Sequence, residues 1–500
     1  MASVPKNRMN PRTFLFIHQA FPAQFKGIAK ALAAEGHKVY ALTMQESDKA
    51  PGVRVLRYAP VRAPQYDNWP YLLKEMDSKL IRAESVYKAA KLMKEKGFNP
   101  DVIYAHPGWG EGLFIKSVWP EARYIVYAEW FYNLYNQEVN FDPAMPKMTE
   151  ENELRLALKN MSFLYALSEC DAAIAPTEWQ KSRSPKWAQE KIHVINEGLN
   201  LTELAAVKPR SLGIPSQNLK LKYGMPIVTF AARNLEPVRG FHYFMRSLPK
   251  VLAEKEDAHV IIMGHDAGVM NRGYGSNNPD GMSWRKSLEK ELGNTVDWNR
   301  IHFLGFLERK LYLAMLKLSA CHVYLTTPFI LSWSFLEAAA LGLPIVSSKT
   351  PPVEEFKDLE GLTLVDFTDV DGLADAILAN LNNMKTEFFD SNLEAIRKLD
   401  EKVTIPRMKE VLLEGVSAKT FGGKLEDVVM EDEDEGEEQP SKASEKADED
   451  DEEESKKSKR TVRKKAPKPA DDDEGDSDED EKKKVKEPKE APKKKRSSKK

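Results

Sequence analysis

The sequence predicts an α/β protein with two successive doubly wound, parallel-sheet domains of Rossmann-like type facing a cleft, and a disordered charged tail after them. Three observations carry this expectation. Apolar runs of strand length alternate with helical patterns as far as Leu399, a stretch with little periodicity divides the series, and acidic and basic blocks replace both after Lys424. A chain of 500 residues has room for two ordinary domains and a tail.

The first series opens with TFLFIH at 13–18, a buried strand, followed by helical spacing through Ile28 and Leu32 that Gly36 stops. Further strands are read at Val39, at VRVLRY from Val53, at 102–105, 123–127, 172–175 and 192–195, with a long amphipathic helix over 71–96 ended by Gly97. The second series runs IVTFAA from Ile227, a helix from Phe241, HVIIMG, a helix from Trp284, RIHFLG, HVYL, PIVSS and LTLVDF. Near-continuous apolar strands separated by helices belong to parallel sheets covered on both faces. The boundaries read from this pattern are 1–205 for the first domain, 206–224 for a linker, 225–400 for the second domain, 401–424 for a helical segment and 425–500 for the tail. Ligands of such sheets bind beyond the carboxyl ends of the strands, so chemistry is expected between the domains.

The net charge of −3 sums blocks of opposite sign, such as EDEDEGEE and KKSKRTVRKK, and the blocks matter more than the sum. The tail has too little apolar content to offset the entropy of folding. Its Lys-rich end from Lys482 either contacts nucleic acid or an anionic surface or is a solvated extension, and Ser477 among acids is a candidate phosphorylation site. Cys170 and Cys321 stand far apart without metal-ligand spacing, which excludes a disulfide framework or zinc site and fits a reducing compartment. The opening residues lack the apolar core of a signal peptide, and no transmembrane segment is expected because no run is long and apolar enough, so a soluble cytoplasmic protein is expected.

Arg233 and Arg239, in AARNLEPVRG, follow a buried strand and precede a helix; a pair of permanent cations there can hold a diphosphate and offset the charge of a departing leaving group without a metal. The alternative is two surface arginines balancing Glu236. In PFILSWSFLEAAALGLPIVSS, a polar turn opens a helix bearing Glu337; the backbone N–H groups there suit phosphate or sugar oxygens, and Glu337 suits ribose hydroxyls. Ser334 and Glu337 also have capping-box spacing. His106, in HPGWGE, either meets the transferred sugar or moves a proton, or is simply hydrogen-bonded. HQAFPAQF from His18 either approaches an acceptor or is a turn fixed by Pro22, and EWFYNLY at 129–135 is either an acceptor wall or core. Asp369-Val370-Asp371 resembles a metal-binding pair of acids, but its place before a helix makes capping the better explanation. The chain contains neither a Gly-x-Ser-x-Gly elbow nor a phosphate-binding P-loop.

Taken in order, FIHQAFPAQF, HPGWGE, EWFY, FDP at Phe141, PTEWQ at Pro176, ARNLEPVRGFHYFMR and PFILSWSFLEAAALG resemble glycosyltransferase family 4 over 13–399. The resemblance implies the GT-B fold, transfer of a sugar with retention from a nucleoside-diphosphate sugar held mainly by the second domain, and an acceptor held mainly by the first. It assigns catalysis to His106, Arg233 and Arg239. Donor binding falls to Arg233, Arg239, Ser332, Trp333, Ser334 and Glu337, and acceptor binding to His18, Gln19, Gly108 and Trp109. No metal and no cofactor are implied, the nucleotide-sugar being a co-substrate; the acceptor, whether glycan, lipid, protein or modified nucleic acid, is not identified. One departure is that Phe329 stands where many members carry a Glu. That leaves room for a silent scaffold recruiting partners through its tail, and the basic segments for a DNA-modifying enzyme.

Overall fold

Every strand of the two main sheets runs parallel to its neighbours, which requires each connection to cross back over a face. The computed structural model describes residues 10–416 except 46–49, 65–68, 216–218, 267–277, 279–280 and 385–388. The first sheet contains β1 (Thr13–Ile17), β2 (Lys38–Thr43), β3 (Val53–Arg57), β4 (Val102–Ala105), β5 (Arg123–Tyr127), β6 (Ala172–Ala175) and β7 (Ile192–Val194), in the order β3-β2-β1-β4-β5-β6-β7. All five residues of β1 are buried, and successive side chains enter different cores. Leu15 and Ile17 join Ile103 and Ala105 on one face, while Phe14 and Phe16 join Val102 and Tyr104 on the other. Burial on both faces is why these strands read as unbroken apolar runs.

A short antiparallel hairpin, β8 (Ser211–Ile214) with β9 (Leu219–Lys222), follows in the stretch read as a linker. Its Leu221 is buried in a core of the second domain and Leu212 packs against that core, so this stretch is attached to the second domain. The second sheet contains β10 (Ile227–Asn234), β11 (His259–His265), β12 (Ile301–Gly305), β13 (Cys321–Tyr324), β14 (Ile345–Ser348) and β15 (Leu362–Val365), in the order β12-β11-β10-β13-β14-β15. Val228, Phe230 and Ile262 face one core; Ile227, Ile261 and Met263 face the other.

The chain then returns to the first domain. At the crossing Leu199 N–H donates to Leu399 O at 2.7 Å and Glu401 N–H to Leu199 O at 2.9 Å, tying the outgoing strand to the incoming one. The helix Glu401–Leu413 buries Met408 and Leu412 in the core that holds Phe14 and Phe16, and Arg123 Nε donates to Val411 O at 3.1 Å. The Asp369 side chain accepts from Gly372 N–H at 2.9 Å and caps the helix Val370–Asn382, as its position suggests. No helix among the described residues is long and apolar enough to cross a membrane. The charged tail at 425–500, with its expected contacts to nucleic acid or an anionic surface, lies outside the described residues.

If the returning helix is part of the first core, Leu412→Ala should lower unfolding free energy by about 2–5 kcal/mol, the usual cost of a large-to-small change at a buried leucine. Denaturant titration measures this, and an unchanged midpoint would show that the helix does not contribute.

Candidate active site in the interdomain cleft

The carboxyl ends of the central strands of both sheets open on one cleft of about 470 Å³. In the first domain His18 follows β1, His106 follows β4 and Glu129 stands just after β5, so three adjacent strands deliver one polar cluster. In the second, Arg233 lies at the end of β10 and Arg239 in the short turn Pro237–Arg239, while β13 leads to the helix Trp333–Ala340. β10 and β13 are neighbours from which the strand order proceeds outwards in both directions, the switch point at which open α/β sheets leave a crevice. Gly240 makes the turn possible. Its φ of +63° suits glycine, and a Cβ there would stand 2.5 Å from Leu325 Cβ.

The first-domain cluster is fixed by hydrogen bonds. Gly108 N–H donates to His106 Nδ1 at 3.2 Å, so Nε2 carries the ring proton and donates to Glu129 Oε2 at 3.0 Å. The His106 ring stacks on Trp109 with centroids 4.3 Å apart. Gln24 Nε2 donates to Glu129 Oε1 at 2.6 Å. Burial alone would raise the Glu129 carboxyl, but the His106 and Gln24 bonds and the neighbouring imidazoles outweigh it and hold it below the usual range, as a carboxylate. His18 is different: Ala20 N–H donates to Nδ1 at 2.9 Å, and the buried Nε2 faces the Gln24 side chain without a bond of full hydrogen-bond geometry. Burial, reinforced by His106, pushes the His18 pKa down to about 3.

Across the cleft, Arg239 Nη1 donates to three neutral oxygens, Tyr324 Oη at 3.1 Å, Thr326 Oγ1 at 2.9 Å and Ile330 O at 2.8 Å. Its guanidinium lies 5.3 Å from the Phe329 ring, which in turn meets Trp130 of the first domain edge-on at 5.0 Å. Arg233 is exposed at the cleft, and among the described residues neither arginine pairs with Glu236 or another carboxylate. The alternative of two arginines balancing Glu236 therefore does not describe this geometry. The capping box does not form either. Ser332 is the N-cap and accepts from Ser334 N–H at 3.3 Å, Ser334 Oγ donates to Ala231 O at 3.2 Å, and Glu337 accepts from Arg309 Nη1 at 2.6 Å. Burial raises the Glu337 carboxyl despite Arg309 and Tyr312.

Of the residues singled out from sequence, His18, Gln19, Trp109, Arg233, Arg239, Ser332 and Trp333 line the cleft, whereas His106, Gly108, Ser334 and Glu337 stand behind its lining. Sequence reasoning missed Gln24, Glu129 and Glu197 as polar lining groups. Glu129 had a signal, its place two residues past the end of β5, but it begins an aromatic run that reads as wall or core. Glu197 is bonded by Tyr127 Oη and by the Trp333 indole of the opposite domain, and burial raises its carboxyl. FDP at Phe141 also crosses the gap: Tyr243 Oη donates to Asp142 Oδ1 at 2.8 Å, and Phe141 meets Phe367 with centroids 5.4 Å apart.

Residues 35–204 match the family described as Glycosyl transferase family 4 group, and residues 225–383 the one described as Glycosyl transferases group 1. The chain is a GT-B glycosyltransferase. This glycosyltransferase shares its fold with a sucrose-phosphate synthase from Thermosynechococcus elongatus, at 18% identity and a TM-score of 0.56, over 80% of this chain and 98% of that one. A glycosyltransferase from Rickettsia africae matches at 12% identity and 0.54, over 81% and 99%. The E. coli trehalose-6-phosphate structure bound with UDP-2-fluoro glucose matches at 15% and 0.55, over 80% and 99%. No curated protein matches the glycosyltransferase at a significant level.

The His18 shift has a definite sign. The unfolded chain takes up this proton below the ordinary pKa of 6.5 while the native imidazole refuses it until about 3, so the stabilisation present above 6.5 is lost as pH falls between those values. NMR of the full chain should show a His18 ring that stays neutral from about pH 5 to 8; a midpoint within the usual histidine range would contradict the burial described.

Proposed function

We propose that this glycosyltransferase takes its sugar from a nucleoside-diphosphate sugar, with the diphosphate on Arg233 and Arg239, and transfers it with retention and without a metal to an acceptor held by the first domain. The observation that carries the reading is the pair of guanidinium groups at the switch point, which among the described residues have no carboxylate partner, one of them locked by three neutral oxygens. The solved relative of similar fold bound with UDP-2-fluoro glucose supports a donor of this class.

As the bond between the sugar's anomeric carbon and the diphosphate oxygen breaks, negative charge grows on the leaving group. A cation about 4 Å away stabilises that charge by up to about 4 kcal/mol at an effective dielectric of 20. The acceptor oxygen forms its bond to the same carbon, and its proton passes to the departing diphosphate, so no carboxylate base is needed on that face. This is compatible with Phe329, which supports Arg239 and joins it to Trp130. The turn from Ser332 to Ser334 meets sugar or phosphate oxygens. Trp333 flanks the donor. Glu337 serves the ribose, and since its carboxylate already accepts from Arg309, the ribose hydroxyls share or displace that bond. His106, fixed by Glu129, lies next to the transferred sugar through Trp109 and His18.

Nucleotide release from a panel of nucleotide sugars tests the reading: release is expected from at least one donor, and none from any donor would contradict it. Arg233→Ala should lower turnover on that donor by about 10²–10³, the typical loss of a charge-stabilising donor group, with an unchanged melting temperature. Full activity in the variant would remove Arg233 from the mechanism.

A further inference from the structure

We infer that the acceptor entering this cleft is an uncharged, hydroxyl-rich compound, a neutral sugar or polyol, and that Glu129 selects it against phosphorylated counterparts. The inference rests on the donor reading above, which commits both cleft arginines to the diphosphate.

The cations of the cleft come from one domain. Among the described residues that line the cleft, the second domain supplies Arg233 and Arg239 with the buried acid Glu236, whereas the first supplies the acids Glu129 and Glu197 and neither lysine nor arginine. Lys79 donates to Gly108 O at 2.7 Å but stands outside the lining. An anionic group on the acceptor would thus face a carboxylate with no cation of the described lining left to meet it.

The unsatisfied polar atoms point the same way. His18 Nε2, a donor because Nδ1 accepts from Ala20, and Gln24 Oε1, an acceptor, are both buried, and the two side chains neighbour one another without a bond of full hydrogen-bond geometry. Each Glu129 oxygen takes one protein bond, leaving lone pairs free, and the side chain keeps 17% of its exposure, at the cleft. Buried polar groups of this kind reward a ligand that completes them. A hydroxyl is both donor and acceptor, so it can accept from His18 and donate to Glu129 or Gln24, whereas a phosphate oxygen at neutral pH can only accept. Trp109, backed by His106, offers a flat apolar face beside them, the surface on which the C–H face of a sugar ring packs. Glu129 is a positioning and selecting group here; the acceptor proton still leaves with the diphosphate.

The test uses the full chain and the donor identified by nucleotide release. Acceptor-stimulated release is measured with paired compounds, glucose with glucose 6-phosphate, fructose with fructose 6-phosphate, and glycerol with glycerol 3-phosphate. The neutral member should have the higher kcat/KM in at least one pair, by about tenfold or more. Glu129→Gln, checked for folding by thermal melting, should narrow that ratio through KM, because the amide removes the repulsion. A purely structural role would instead lower both members alike. Equal or better use of the phosphorylated members, or no stimulation by any neutral one, overturns the inference while leaving the donor reading intact. Absence of release from every donor would overturn the donor reading itself.

Discussion

The two arginines at the head of the second sheet stand in a cleft whose opposite wall carries carboxylates, and among the described residues neither of them pairs with an acid. Tyr324, Thr326 and Ile330 hold Arg239 with neutral oxygens, which fixes its direction without reducing its charge. Those oxygens come from the end of β13 and the turn after it, so the neighbouring strand of the switch point prepares the cation. A charge fixed in place before reaction needs no reorganisation when a leaving group becomes negative.

The opposite wall has a complementary design. Glu129 is kept ionised by His106 and Gln24, while Glu197 is pushed towards its neutral form by burial. Two carboxyl groups of one cleft thus hold different protonation tendencies, set by their hydrogen-bond partners. Contacts from the first domain to the second, Trp130 to Phe329, Asp142 to Tyr243 and Glu197 to Trp333, set the walls facing each other, and the returning helix ties the chain to its first domain again.

Much of the fold was legible because parallel strands bury both faces and leave apolar runs such as TFLFI, bounded by glycines that end the helices. The hairpin at 211–222 was not, since its strands are short and only part of one face is covered, which leaves no run to read. The helix at 401–413 could be read as a helix, yet a helical period names a buried face and not its partner. At the site, strand ends exposed His18, Trp109 and the arginines as candidates. Glu129 was hidden by the aromatic residues after it, and the partner of Glu337, Arg309, lies 28 positions away on another helix. Sequence spacing therefore suggested a capping box where a distant ion pair forms instead.

The central claim is that the arginine pair recognises a diphosphate, and isothermal titration with a nucleoside diphosphate and the corresponding free nucleoside measures it most directly. The account predicts that the diphosphate binds more tightly by about tenfold or more, and that replacing Arg233 and Arg239 together by alanine abolishes the difference. Equal affinity for nucleoside and diphosphate in the unaltered chain, or an undiminished preference after both substitutions, would contradict it.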